Sequence, residues 1–132
     1  TLFRSAETDE EAWRLSVGNM MGRMMGEYFL QLLAQFGFKD YLKHDPSVPD
    51  SDVTVEYCAK RNWIIGSPKT VAEKIERIYH EVGGFGQLLV FGFDYVENPE
   101  AWKTSLGLLQ TEVFPKVRHL TPPRGASLAA AQ

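Results

Sequence analysis

Residues 63–93 constrain the fold more than any other part of the chain. Trp63-Ile64-Ile65-Gly66 is a short apolar run of strand type. Ser67-Pro68 behind it is a helix start, because serine accepts from the first free amides and proline fits the first turn. Val71, Ile75, Ile78 and Val82 recur at helical spacing until Gly83-Gly84 end the pattern. The run Gln87-Leu88-Leu89-Val90-Phe91-Gly92-Phe93 is then unbroken and apolar, as in a strand covered on both faces. Strand, helix and strand at this spacing predict a parallel pair joined by a right-handed crossover. Two such strands alone leave both sheet edges open, so the pattern calls for further strands or a partner chain.

The flanking segments fill in an α/β order. Residues 1–6 read as the end of a preceding strand. Thr8 and Glu11 form a capping box, and Trp13, Val17, Met20, Met24, Tyr28 and Leu32 continue a helical stripe, predicting one long helix over 8–35. Gly18, Gly22 and Gly26 lie one turn apart on it, which predicts a groove where another stretch of backbone packs closely. From 36 to 62 the periodicity stops among Gly37, Pro46, Pro49 and several aspartates. A loop of that length is usually a mobile lid, here closed by a short helix over 53–60. Asn98-Pro99 starts a last helix lined by Trp102, Leu106, Leu109 and Val113, and Pro115 ends or kinks it. Residues 121–132 read as a flexible tail.

Composition narrows the classes of function. The net charge is −3 and the pI about 5.6, so no broad basic field exists for nucleic acid or an anionic membrane. No apolar run reaches the length of a membrane span. Cys58 is the only cysteine, which excludes an internal disulfide and fits a cytoplasmic location. His44, His80 and His119 share no metal-ligand spacing with one another or with Cys58, so no metal site is expected. Gly83, Gly84 and Gly86 follow a helix rather than a strand and make no dinucleotide fingerprint. At 132 residues the chain is well short of the roughly 250 that close an α/β barrel.

Several stretches resemble a known family. Trp63 to Ile75, with its strand running through Gly-Ser-Pro into a helix, is similar to a segment of the bacterial-luciferase-like, FMN-dependent monooxygenases. Gly83-Gly84-Phe85-Gly86 with Leu88-Leu89-Val90 resembles their last barrel strand. Ser105-Leu106 through Glu112-Val113-Phe114-Pro115 resembles their final helix, and Thr8 to Ala12 the helix start after their sixth strand. The limonene and alkanal monooxygenase branch is resembled most. The resemblance covers residues 6–120 and implies the C-terminal portion of a TIM (β/α)8 barrel, in which 36–62 would be the mobile active-site loop. It implies reduced FMN, supplied by a flavin reductase, with O₂ as co-substrate. Oxygenation of a small apolar organic substrate would run through a C4a-peroxyflavin. Most flavin contacts in that family come from earlier strands, so this chain alone is expected to be inactive.

Barrel sites lie at the C-terminal ends of strands. That criterion marks Trp63, Ile65 and Gly66 on one strand and Phe93 and Asp94 on the other as substrate or flavin-pocket candidates. Phe38 and His44 are the lid candidates. Trp63 and Ile65 share a strand face and could wall a pocket; the plainer alternative is core packing. Ser67 reads as a helix cap rather than a nucleophile, since no histidine–aspartate pattern surrounds it. The catalytic residues are not identified. Self-association, as a dimer or otherwise, is expected from the open sheet edges, and a non-catalytic association module is the alternative function.

Overall fold

The computed structural model describes residues 1–92 and 94–120. The expected tail at 121–132 and the pocket candidate Phe93 lie outside the described residues.

Strand β1 (Phe3–Ser5) pairs in parallel with β2 (Ile64–Gly66), with Phe3 beside Ile64, Arg4 beside Ile65 and Ser5 beside Gly66. Side-chain alternation divides the core. Phe3 and Ile64 join one cluster with Val71, Ile75, Leu109 and Val113. Trp63 and Ile65 join another with Met21, Met25, Cys58 and Ala59. The first cluster is closed by α5 (Pro68–Glu81), whose start follows the expected chemistry: Ser67 Oγ accepts from the Thr70 amide and Pro68 takes the first helical position. Gly83, with φ 76°, and Gly84, with φ 100°, supply the left-handed turn that ends it. The π-helical turn (Leu109–Val113) and α7 (Phe114–Val117) pack on α5, while α6 (Pro99–Leu108), which leads into them, packs on β1.

The single long helix expected over 8–35 is instead broken into α1 (Asp9–Ser16), α2 (Met20–Met24), a π-helical turn (Met25–Phe29) and α3 (Leu30–Gln35). Polar side chains compete for the main chain at the break. Ser16 Oγ donates to the Ala12 carbonyl at 2.6 Å, and Asn19 Oδ1 accepts from the Met20 amide at 2.9 Å and restarts the helix. Gly22 makes this possible, because a Cβ there would stand 1.9 Å from the Val17 carbonyl oxygen. The groove expected from the glycine stripe is therefore filled by the chain's own backbone, and at Gly26 by the Val55 side chain.

Two further expectations change. Residues 36–62 are more ordered than a bare loop: they hold 3₁₀ turns at Lys39–Leu42 and Asp50–Asp52 and helix α4 (Val55–Arg61). Val53 anchors them in the Trp63 cluster. The apolar run at 87–93 does not become a strand covered on both faces. Only Phe91 bridges, in parallel, to Leu2, so the run lies on the outer edge of β1 rather than beside β2. Leu88 and Val90 pack against the Phe3 cluster, while Leu89 and Phe91 are exposed. The physical reason is layer count: the Phe3 cluster covers the Leu88 and Val90 face of this segment, and the opposite face stays largely exposed at Leu89. No described helix is long and apolar enough to cross a membrane.

Candidate functional site

The C-terminal ends of β1 and β2 are held together by a carboxylate. Asp9, in the first turn of α1, accepts from the Ser67 amide at 2.6 Å and from the Thr70 hydroxyl at 2.9 Å. The Ser67 amide bond is the main reason that the Asp9 carboxyl titrates below its usual range. Gly66 leaves room for this clamp: its φ is +150°, and a Cβ would stand 2.8 Å from Asp9 Oδ1. The amides at the start of α5 would otherwise suit a phosphate. Asp9 already supplies an anion there, and a second one would be repelled.

Behind this clamp, on the neighbouring residue of β1, sits a buried charge. Arg4 is fully buried, and its Nη2 donates to Asp94, which is also fully buried. Trp102 lies over the guanidinium, 5.3 Å from its carbon to the ring centre. Ser105 Oγ accepts from the Ser5 amide at 2.8 Å and fixes α6 against the edge of β1. Arg4 Nε and Nη1, Asp94 Oδ1 and Ser5 Oγ have no hydrogen-bond partner among the described residues. Buried polar groups are normally paired, so the unpaired atoms of Arg4 and Asp94 set this pair apart from ordinary core.

The outer edge of β2 carries a third polar feature. Lys74 Nζ donates to the Ile65 carbonyl at 2.9 Å and to the Trp63 carbonyl at 3.5 Å. Burial pushes the Lys74 pKa down.

The sequence candidates are distributed over this frame. Trp63 and Ile65 are both buried in the cluster with Met21 and Cys58, and Asp94 is the partner of Arg4. Phe38 and His44 lie apart from them on the 36–62 segment. Phe38 stacks with Phe36 and meets Tyr41 edge-on, all three exposed. His44 binds the Tyr57 hydroxyl through both its amide and Nδ1. Among the described residues, two cavities stand out, and none of the described candidates lines either. One, of about 420 Å³, lies between Ile75 and Tyr79 of α5 and Phe114 and Val117 of α7. The other, of about 240 Å³, lies at the end of β1 between α1 and α6, lined by Ser5, Glu11, Arg14, Asn98 and Thr104 among others.

Arg4, Asp9 and Lys74 escaped the sequence reading. A charged residue between Phe3 and Ser5 looks like an exposed position at a strand end, and its partner lies 90 residues away. Asp9 carries a capping signal for its own helix, which hid its role at the start of another.

No protein-family model matches the chain. It is 35% identical over 119 residues to the 3,6-diketocamphane 1,6-monooxygenase of Pseudomonas putida, which covers 90% of this chain and 31% of that protein. A 2,5-diketocamphane 1,2-monooxygenase of the same organism is 35% identical over 115 residues, 86% of this chain and 32% of its own length. The chain thus spans about a third of the length of the curated relatives it matches. Among solved structures it resembles the oxygenating constituent of 3,6-diketocamphane monooxygenase from P. putida, a type II Baeyer–Villiger monooxygenase in complex with FMN. The TM-score is 0.78 at 35% identity, over 88% of this chain and 32% of that one. The homologues of this chain are therefore camphor monooxygenases of the FMN-dependent, luciferase-like kind.

Proposed function

We propose that this chain forms part of the oxygenating component of a luciferase-like, FMN-dependent monooxygenase, as the C-terminal portion of a TIM (β/α)8 barrel. The observation that carries the reading is the match in both sequence and fold, at 35% identity and a TM-score of 0.78, to an FMN-bound monooxygenase. Reduced FMN and O₂ would together supply one oxygen atom to a small apolar substrate, the other atom leaving as water. A flavin reductase would provide the reduced flavin, and the location would be cytoplasmic.

The residues present suit part of such a site. Trp63 and Ile65 offer an apolar wall, Gly66 brings the backbone of β2 to its end, and Asp94 fixes the Arg4 guanidinium. The start of α5 does not suit the flavin phosphate, because the Asp9 carboxylate holds its amide. That phosphate would be bound by residues outside this chain. The exposed Phe36, Phe38 and Tyr41 support a lid role for 36–62: closed over the site, they would shield the reaction from water.

The test is a chimera in which this chain replaces the matched third of 3,6-diketocamphane 1,6-monooxygenase. Folding, FMN binding and oxygenation of a bicyclic ketone are expected. A folded chimera that binds no flavin would overturn the reading. It would favour the alternative, an association module, for which the exposed Leu89, Phe91 and Val96 speak.

A further inference from the structure

We infer that the cavity of about 420 Å³ between α5 and α7 binds a small aromatic monocarboxylate, whose ring enters the apolar wall while Arg118 pairs its charge. The inference stands on this cavity alone and does not depend on the flavin reading.

Three features carry it. The first is the wall. Ile75 and Leu120 line the cavity and belong to the buried Phe3 cluster, and Tyr79, Phe85 and Leu88 pack against that cluster. A hollow of this size falls within the range of about 300–1,000 Å³ that holds small molecules. Left empty it forfeits contacts that core atoms otherwise make, so an apolar body gains by entering. The lining favours a ring: Tyr79 and Phe85 meet edge to face at 5.2 Å, and Phe114 adds a third aromatic group. Phe114 is 51% exposed, so the cavity opens to water and a ligand can reach it.

The second feature is charge. Arg118, in the 3₁₀ turn Arg118–Leu120 that follows α7, lines the same cavity and is exposed. Its guanidinium makes no hydrogen bond or ion pair among the described residues. Glu76, which reaches this turn from α5, is held instead by His119 at 3.2 Å. A planar fork with unused donors fits a carboxylate with two parallel bonds. One arginine balances one negative charge, whereas a phosphate dianion would leave an excess next to Glu76. The third feature is position. From Ser67, where α5 begins, Tyr79 lies roughly 18 Å along the helix axis. The cavity is therefore at the far end of α5 from the Asp9 clamp, and the start of that helix plays no part in holding the anion.

The test is methyl NMR of the full chain with labelled isoleucine, titrated separately with 2-naphthoate, its neutral counterpart 2-naphthylmethanol, inorganic phosphate and FMN. The Ile75 methyl should shift to saturation with 2-naphthoate, which should bind about tenfold more tightly than the alcohol. Arg118→Gln alters an exposed side chain and spares the core. It should weaken 2-naphthoate by that same factor and leave the alcohol unchanged. Equal affinity for acid and alcohol, or an acid affinity that Arg118→Gln does not alter, overturns the inference. So does an Ile75 methyl that moves with phosphate alone or with no ligand. Overhauser contacts from Ile75 to Leu128, with no response to 2-naphthoate, overturn it by making the chain's own residues the occupant. FMN binding without 2-naphthoate binding overturns this inference and spares the flavin reading; 2-naphthoate binding to a chain that takes up no FMN does the reverse.

Discussion

At the scale of single residues, two carboxylates make opposite kinds of contact. Asp94 is sealed from water with Arg4, so removing one partner strands the other charge. Arg4→Met alone is expected to cost about 3–5 kcal/mol, while Arg4→Met combined with Asp94→Leu recovers most of that loss. Urea unfolding midpoints of the two variants check it, and equal destabilisation would mean that the buried charge is not what matters. Asp9 works near water, as a brace between α1 and α5. Asp9→Ala should cost about 1 kcal/mol, the size of a lost helix cap. Its folded pKa is depressed, so the contribution is fully present above the ordinary aspartate value near pH 4 and is lost as pH falls through the lowered one. Unfolding curves of Asp9→Ala and the parent chain should accordingly converge in acid and separate at neutral pH. Parallel curves across that range would place the effect in packing instead.

At the scale of elements, what was legible and what was not divides by sequence distance. The start of α5 could be read from Ser67-Pro68 because cap and helix are adjacent. The break between α1 and α2 could not, since the apolar stripe runs straight through it. The decisive contact there is between Gly22 and the Val17 carbonyl, a property of backbone shape rather than of periodicity. The 36–62 segment is intermediate. Its prolines and aspartates signalled irregular structure, but only the fold shows that Lys43 ties Asp40 at 2.6 Å to Asp50 at 2.7 Å. These two aspartates flank the aromatic Tyr41 and the lid candidate His44, so the ties hold the segment folded over α4. The Lys43 ammonium holds the Asp50 carboxyl below its usual range, and Ser47 does the same for Asp45. Both groups favour the folded loop above about pH 4 and release it as pH falls through their depressed values. Hydrogen exchange in 36–54 is therefore expected to exceed that of α5 at neutral pH, and its protection to fall further near pH 3 while α5 stays protected. Protection equal to that of α5 would argue against a lid.

At the scale of the whole molecule, the strands present the problem that the rest of the chain answers only in part. A two-stranded parallel sheet is too small to stand alone, and here each edge has a makeshift cover. Lys74 occupies carbonyls along β2, where the following strand of a barrel would pair. The 87–92 segment lies along β1 instead, where a barrel would set the preceding strand. That this apolar run would lie against a strand was legible; that it would meet β1 through a single bridge was not, because pairing partners are chosen by the full set of strands available. One consequence is measurable. Leu89 is 80% exposed on the segment that lies along β1, and Val96 is 75% exposed in the turn that follows, an apolar surface of the kind that pairs with other chains. Self-association should therefore rise with concentration in sedimentation or light scattering. Leu89→Lys should suppress it by placing a charge on the exposed side, with little loss of stability because that side chain is already largely in water. If the lysine variant associates as strongly as the parent, the contact lies elsewhere, and the edge of β2 beneath Lys74 becomes the surface to alter next.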